Sequence, residues 1–597
     1  MKKIAFLLIL FLAFSLRLYG LNWDQSHHLH PDERFLTMVV SAIKIPPSLT
    51  NYFSQSQSTL NPYNHNFNFY VYGTFPLLIT RFFGELLKMD GYDQIFLVGR
   101  FLSALFDILT LTLVYYLTLQ VFRNQKISLW ATFFYAVSVF PIQQAHFFTV
   151  DSFTVFFTTL SLLLLLLWVE KQNLLLAFLI GFSFGLTLAN KTSIGITLPV
   201  FILTIVSSPK IPRKSADLPK YFSVLLPTIL VFFFSLVLAF RIFQPYAFDG
   251  FLKISPHFLQ NITDAHKMIT GKIDYPPNIQ WAYTQPLIYP LVNIFLWGLG
   301  PIISLFSLFG IIYTLAKIKK LKFKTILVLL LFSLTIFTYQ GVQLAKYMRY
   351  FYPIYPILAL FSGQFLYQCI NSLRKRTKNP YILYTIYYIL LLLVLVWPLA
   401  FVSIYSRPHS RITASEWLYK NIPPRAKITS EEWDDPLPLS IPGYSSTSYT
   451  QLPLGFYNPE SLPKWQKITE QLNQADYIIM SSNRLWDSIP RLPKRYPVTT
   501  LYYQLLFQNK LGFKKVAEIN SYPTLGVGNL KFKINDSLAE ESFTVYDHPK
   551  ILIFQKENFS EDLLQPLLDP QLINQARQIN PRKTNKINFG QLFFQKF

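Results

Sequence analysis

The chain has a single cysteine, Cys369, in 597 residues, which excludes a disulfide framework and a cysteine-ligated zinc centre. That lone thiol reads as a small apolar membrane residue. Charge is scarce as well: Asp, Glu, Lys and Arg together make 14% of the residues against 51% hydrophobic, a balance that excludes a disordered chain or an ordinary soluble protein. Neither a G-x-G-x-x-G fingerprint nor a P-loop occurs, and there is no repeat of fixed period and no long low-complexity segment. What is abundant is aromatic and aliphatic side chains, 56 Phe and 36 Tyr among them, gathered in uninterrupted runs near bilayer thickness. The chain reads as a polytopic α-helical membrane protein.

Eleven such runs are expected to cross, at 4–19, 95–121, 127–145, 152–169, 174–189, 193–206, 222–243, 295–316, 325–339, 352–370 and 381–404. Lys2 and Lys3 place the N-terminus on the cytoplasmic side. The first run is read as an uncleaved anchor, although Ala13-Phe14-Ser15 is a weak cleavage pattern, and either way residues 22 onward lie outside. Alternation then puts basic residues in every inner loop: Arg123 and Lys126; Lys171; Lys210, Arg213, Lys214 and Lys220; Lys317, Lys319, Lys320, Lys322 and Lys324; Arg374, Lys375, Arg376 and Lys378. This positive-inside bias accounts for much of the net charge of +23, so no nucleic acid is implied. Anionic lipid at the inner leaflet is a further partner for these cations.

The outer side receives residues 22–94, residues 244–294 and a C-terminal tail, so the chain divides at 404 into a transmembrane part and an extracytoplasmic domain, 405–597. In the first loop, Phe69 to Leu87 is expected to lie on the membrane as a surface helix, because a crossing there would invert every later basic loop. The tail reads as an α/β or α+β domain. Thr413-Ala414-Ser415-Glu416 is a capping-box signal, Tyr477 to Met480 reads as a buried strand, and Phe543 to Tyr546 with Ile551 to Phe554 as a hairpin.

Chemistry is concentrated at the outer helix ends. The first loop opens Asn22-Trp23-Asp24-Gln25-Ser26-His27-His28-Leu29-His30-Pro31-Asp32-Glu33-Arg34-Phe35. Pro31 suits the first turn of a helix, whose positive end favours ionised Asp32 and Glu33, and an ionised carboxylate near the lipid surface suits a general base. A plainer reading stays open, in which the two acids only cap a surface helix and the histidines are solvated. His27, His28 and His30 are alternatively ligands for a divalent cation, though their spacing matches no standard zinc motif. Asp151 stands at another outer helix end, either functional or a helix cap before Ser152. Arg100, Lys191, Lys346 and Arg349 offer cations to an anionic headgroup, the plainer role for Arg100 and Lys191 being to snorkel to the interface. Glu431, Glu432, Asp434 and Asp435 in the tail read as a solvated acidic turn, with cation or acceptor binding as the alternative.

In the order and location of these motifs, the first four hundred residues resemble the GT-C glycosyltransferases that use lipid-linked sugars, in particular the protein O-mannosyltransferase and aminoarabinose transferase branch. The carrying segments are Asp32-Glu33-Arg34-Phe35, Asp151, Leu186-Thr187-Leu188-Ala189-Asn190-Lys191-Thr192-Ser193 and Arg349-Tyr350-Phe351-Tyr352-Pro353. The resemblance implies a GT-C-like fold with Asp32 as the principal catalytic carboxylate, Glu33 orienting the acceptor and Asp151 supporting the acidic site. It makes Arg100, Lys191, Lys346 and Arg349 candidates for the donor phosphate, and Tyr350 for acceptor or sugar binding. The histidine run departs from the eukaryotic pattern and leaves a divalent cation open. The tail segments Trp417-Leu418-Tyr419-Lys420-Asn421-Ile422-Pro423 and Glu432-Trp433-Asp434 resemble C-terminal domains of bacterial members, without assigning an activity.

The expected activity is transfer of a sugar from a polyprenyl-monophosphate donor to a hydroxyl of a protein, lipid or glycan, with inversion, at the outer face of an inner or plasma membrane. A transporter or flippase of lipid-linked glycans is the main alternative, but transporters place coupling groups near the bilayer midplane, whereas these acids lie at one interface. A non-catalytic envelope-assembly protein is the third reading.

Overall fold

The structure, a computed structural model, describes residues 2–208, 218–317, 323–377, 379–527 and 530–584. Of the basic loop residues, Lys210, Arg213, Lys214, Lys319, Lys320, Lys322 and Lys378 lie outside the described residues.

Every apolar run is helical. Among the described residues, five helices are long and apolar enough to cross a membrane by length and composition: Tyr92–Phe122, Asp151–Lys171, Tyr221–Phe243, Phe323–Gly341 and Tyr384–Ser406. The other runs form shorter or less uniformly apolar helices, so the helical membrane architecture stands while the count of eleven crossings does not follow from it. Two runs are broken for identifiable reasons. Residues 127–145 become Gln125–Ala136 and Val139–Ala145, which puts Pro141, with no N–H to donate, in a first turn where none is needed. Residues 295–316 break at Gly300, whose φ of +84° favours glycine and beside which a Cβ would meet Trp397 at 2.6 Å. Asn124, Asn173 and Asn379 each cap the helix that follows through their side-chain oxygens.

Gly181 and Gly185, four residues apart on Leu174–Asn190, allow close approach of Leu218–Phe243: a Cβ would fall 2.1 Å from the Phe232 carbonyl oxygen and 2.4 Å from that of Leu236. Deep in the bundle, Arg17 and Asp107 form a fully buried ion pair. The hydroxyls of Tyr135 and Tyr352 donate to Asp107, and Arg17 donates to the Ala136 carbonyl, so four helical segments meet on one satisfied charge pair.

Among its described residues the tail carries seven strands: β1 (Lys427–Glu431), β2 (Thr450–Leu454), β3 (Tyr477–Met480), β4 (Phe513–Ile519), β5 (Thr524–Val527), β6 (Leu530–Lys533) and β7 (Ile551–Lys556). Five form a mixed sheet in the order β2-β1-β3-β7-β4, with β1 parallel to β2 and β3, and β7 antiparallel to β3 and β4; β5 and β6 pair separately. The connection from β2 to β3, which both run parallel to β1 between them, crosses over through helix Leu462–Gln474. β3 is the expected buried strand. The expected hairpin is not formed. Glu541–Thr544 is a helical turn, and Phe543 packs against Phe401 of the bundle with ring centroids 5.4 Å apart, so its apolar character serves docking rather than a ladder. The helix signalled by the capping box is present at Ser410–Asn421, but it starts four residues early and is capped by His409 rather than Thr413.

The tail is fastened to the bundle by a buried polar chain. His548 bonds through its two ring nitrogens to Asp536 (2.8 Å) and Asp547 (2.5 Å), and Asp547 accepts from Gln143 and Tyr405, each at 3.0 Å. Burial opposes the imidazolium, but the two carboxylates outweigh it and push His548 up to about 10. A proton held more tightly in the folded state stabilises fully below the ordinary histidine range near 6.5, and the contribution is lost as pH rises through about 10. His548→Ala is expected to cost about 3–5 kcal/mol near neutral pH, by leaving buried carboxylates unpaired. Thermal unfolding of the detergent-solubilised protein checks this: the gap between wild type and variant should shrink from pH 7 to pH 10, and a constant gap contradicts the charged imidazole.

Candidate functional site

The helix Pro31–Ala42 begins as its sequence dictates, with Pro31 in the first turn and the His30 ring accepting from the Glu33 N–H at 3.3 Å. Successive residues on a helix point about 100° apart, and here that separates the two acids. Asp32 is 21% exposed and forms an ion pair with Arg349. Glu33 is fully buried, bonded to Arg100 at 2.5 and 3.0 Å, and accepts the Phe148 N–H at 2.7 Å. Burial pushes the Glu33 carboxyl up against the opposing pull of Arg100. Arg100 also holds Asp24 at 2.9 Å and the Leu21 carbonyl at 2.8 Å, so its guanidinium is fully committed.

Asp151 is expected from sequence either to act or to cap; it does not cap. The helix starts at Asp151 itself with no side-chain cap, and the carboxylate instead pairs with Lys191 at 2.7 Å. Lys191 closes Leu174–Asn190 and lies over the Tyr350 ring, 4.9 Å from its centroid. Arg349 lies over Tyr347 at 4.9 Å. These pieces share one cavity of about 720 Å³, whose wall includes Asp32, Asp151, Lys191, Arg349 and Tyr350.

Glu33, Arg100 and Lys346 are not on that wall. Lys346 is buried, donating to the Thr284 hydroxyl at 3.1 Å and the Leu344 carbonyl at 3.2 Å, and burial pushes its ammonium down to about 7. It stands instead in the segment that carries Arg349. That segment is held from the tail by Glu540, which accepts the Met348 N–H at 2.7 Å and whose own N–H donates to Asn293 at 2.8 Å; burial pushes its carboxyl up to about 8.

The histidines do not converge. His28 packs between Tyr92 and Phe96, and His30 between Phe147 and Tyr546 while serving as a cap. Burial, helped by Arg349 and Arg100, holds His30 well below the ordinary histidine range. Among the described residues no three His, Cys, Asp or Glu side chains are placed to hold a metal. His27, His28 and His30 therefore do not fit a divalent-cation site.

The acidic turn of the tail is not solvated. Asp434 pairs with Arg411 at 2.7 Å, and Asp435 bridges Arg411 (3.0 Å) and Arg34 (2.7 Å), one residue from the Asp32-Glu33 pair. Although burial opposes it, Arg411 and Arg34 hold the Asp435 carboxyl below its usual range. Glu431 is buried against the Tyr503 hydroxyl at 2.8 Å, and burial pushes it up to about 8. Trp433, Asp434, Asp435, Arg484, Glu541 and Tyr546 all line the same cavity as Asp32 and Arg349. No local pattern signals this, because Arg34 and Asp435 are 401 residues apart.

The fold and site define a multi-pass helical membrane protein with a cavity of paired acids and cations between helix ends and a sheet domain. Residues 59–246 match the sequence profile of the dolichyl-phosphate-mannose-protein mannosyltransferase family. That match agrees with the GT-C resemblance carried by the motifs; it spans Arg100, Asp151 and Lys191 but begins after Asp32 and ends before Arg349. No curated protein sequence matches the chain. Among solved structures, the oligosaccharyltransferase of Archaeoglobus fulgidus in the apo form is 15% identical, with a TM-score of 0.49 over 83% of this chain and 72% of that one. The ArnT structure from Cupriavidus metallidurans bound to undecaprenyl phosphate is 14% identical, with a TM-score of 0.42 over 69% of this chain and 72% of that one. Similarity at that level leaves each residue's role to this chain's own geometry.

Proposed function

We propose that the protein transfers a sugar from a polyprenyl-monophosphate donor to a hydroxyl acceptor at the extracytoplasmic face of an inner or plasma membrane. The N-terminus is then cytoplasmic, residues 1–404 form the catalytic membrane part and 405–597 the extracytoplasmic domain. The observation that carries this reading is the pair of ion pairs, Asp32–Arg349 and Asp151–Lys191, facing one cavity. The family matched over 59–246 is described by a dolichyl-phosphate sugar, which supports the same donor class.

Each cation has a carboxylate partner and each is partly exposed, so an incoming phosphate competes for both. The planar Arg349 fork suits two phosphate oxygens, and Lys191 supplies a point charge. Once the phosphate engages Arg349, Asp32 is released from its ion pair and free to accept a proton. The acceptor oxygen then forms a bond to the anomeric carbon as its proton passes to Asp32. The bond between that carbon and the phosphate oxygen breaks, and its electron pair leaves on the polyprenyl phosphate, whose charge Arg349 and Lys191 stabilise. Displacement from the opposite side inverts the anomeric centre. Each step uses this chain's own side chains, and Glu33 with Arg100 holds the helix that presents Asp32.

The test is release and transfer of radiolabelled sugar from polyprenyl-monophosphate donors by the purified protein, with cell-envelope fractions as acceptors. Arg349→Ala and Lys191→Ala are each expected to raise the donor KM at least about tenfold, the order of one lost charge-assisted contact. Unchanged donor affinity in both removes the phosphate assignment. If no donor is turned over and labelled lipid-linked glycan instead crosses vesicles containing the protein, the flippase reading replaces this one.

A further inference from the structure

Trp433 follows β1 in a turn with a φ of +77°, a left-handed conformation that is an outlier for a bulky side chain. The surroundings over-determine it. Arg484 donates to the Trp433 carbonyl at 2.8 Å, the Asp434 N–H donates to the Glu431 carbonyl at 3.2 Å, and the next two side chains are tied to Arg411 and Arg34. Such strain clusters where a side chain must be presented rather than packed. The indole is presented: it is 48% exposed and forms part of the cavity wall. Tyr275 from the 244–294 segment and Tyr457 meet it edge to face, at centroid distances of 5.7 and 6.4 Å. The core of the sheet domain uses its large aromatics differently, burying Trp465, Tyr496, Tyr502 and Tyr503.

We infer that Trp433 is the platform of a sugar-binding subsite built by the tail on the cavity wall, with the ring of a saccharide stacked on the indole. The inference rests on the transferase reading for the identity of the cavity, and the physical argument is one of matched surfaces. A sugar ring has an apolar C–H face and a polar rim. An aromatic plate bordered by hydrogen-bonding groups offers the complement, and here the border holds Arg34, Arg484, Asp435 and Glu541. Arg484 keeps a bond to Glu541 at 2.7 Å and Asp435 keeps Arg34, so the rim is fixed before a ligand arrives, which limits the ordering cost of binding. The saccharide is either the sugar of the donor or a sugar unit of the acceptor, and both present the same chemistry to the indole.

Binding is measured without turnover, by saturation-transfer NMR on the full-length protein in nanodiscs with methyl mannoside, methyl galactoside and methyl arabinoside as probes, and with a serine- and threonine-containing peptide as comparison. At least one glycoside should bind through its C–H face, Trp433→Ala should weaken it about tenfold, and Trp433→Phe should restore most of the affinity. Trp433→Gly, for which a positive φ carries no steric penalty, guards against misfolding and should weaken binding as the alanine does. Displacement of the glycoside by polyprenyl-monophosphate sugar assigns the subsite to the donor sugar; persistence of both assigns it to the acceptor, and either result supports the platform. Glycoside binding equal in wild type and Trp433→Gly overturns it, as does Trp433-dependent binding of the peptide with none of the glycosides. Because no transfer is read, loss of this subsite and loss of the transferase reading are separate results.

Discussion

Asp32→Asn protein should fold, insert and bind donor, yet transfer sugar at least about a hundredfold more slowly than wild type, the lower range for loss of a general base. The stability side of this expectation comes from exposure. Asp32 and Arg349 are each 21% exposed, and ion pairs open to solvent contribute roughly 0–1 kcal/mol, so removing the charge leaves the fold intact. The kinetic side comes from position: among the acids near the first helix, Asp32 lines the cavity while Asp24 and Glu33 are fully buried around Arg100. Asparagine keeps the shape and cannot take the proton. Donor affinity should stay the same or rise, because Arg349 no longer has a competing carboxylate. Steady-state transfer paired with a melting curve decides the matter, and wild-type turnover by a normally folded variant removes Asp32 from the chemistry.

The second large effect is on folding. Arg100→Leu strips the partner from both Glu33 and Asp24, each fully buried, and breaking even one buried pair by removing one member costs about 3–5 kcal/mol. The expected outcome is a protein that accumulates poorly in the membrane and melts early, with partial rescue when Glu33→Gln is added to reduce the uncompensated charge. The sequence suggests a different role for this arginine, as a phosphate ligand. The two roles part cleanly: a variant that folds normally and loses only donor binding restores the phosphate role, whereas loss of the folded protein assigns Arg100 to holding the Asp32 helix in place.

Why the sequence does not reveal that Arg100 is buried away from the cavity, yet places Asp151 at a helix end where the cavity lies, is a matter of range. Helical runs, the Pro31 first turn and the positions of Asp32, Asp151, Lys191 and Arg349 near helix ends are set by local periodicity and composition, and these are legible in the chain itself. The Asp151–Lys191 pair joins the start of one helix to the end of the next, where adjacency follows from two consecutive helices running antiparallel. Whether Glu33 or Asp32 faces the cavity depends on helix rotation against a neighbour, and both residues look alike in a linear motif. The Arg34–Asp435 contact is harder still, since it joins the first loop to the tail with no shared pattern between them. The acidic turn at 431–435 carries enough charge to read as solvated, and its cation partners, the buried Arg411 and the partly exposed Arg34, reverse that. Phe543 and its neighbours look like a strand because apolar residues that dock against another surface alternate as freely as those in a ladder.

The shared wall of the cavity also orders events during synthesis. Asp32, Asp151, Lys191 and Arg349 are made well before Trp433, Arg484, Glu541 and Tyr546, with roughly 200 residues between Arg349 and the last of them, on the order of 10–40 s of ribosome time. Glu540, which pins the backbone beside Arg349, comes late as well. A nascent chain therefore carries Asp32, Asp151, Lys191 and Arg349 well before the wall opposite them exists, and the cavity is enclosed only when the later segment docks.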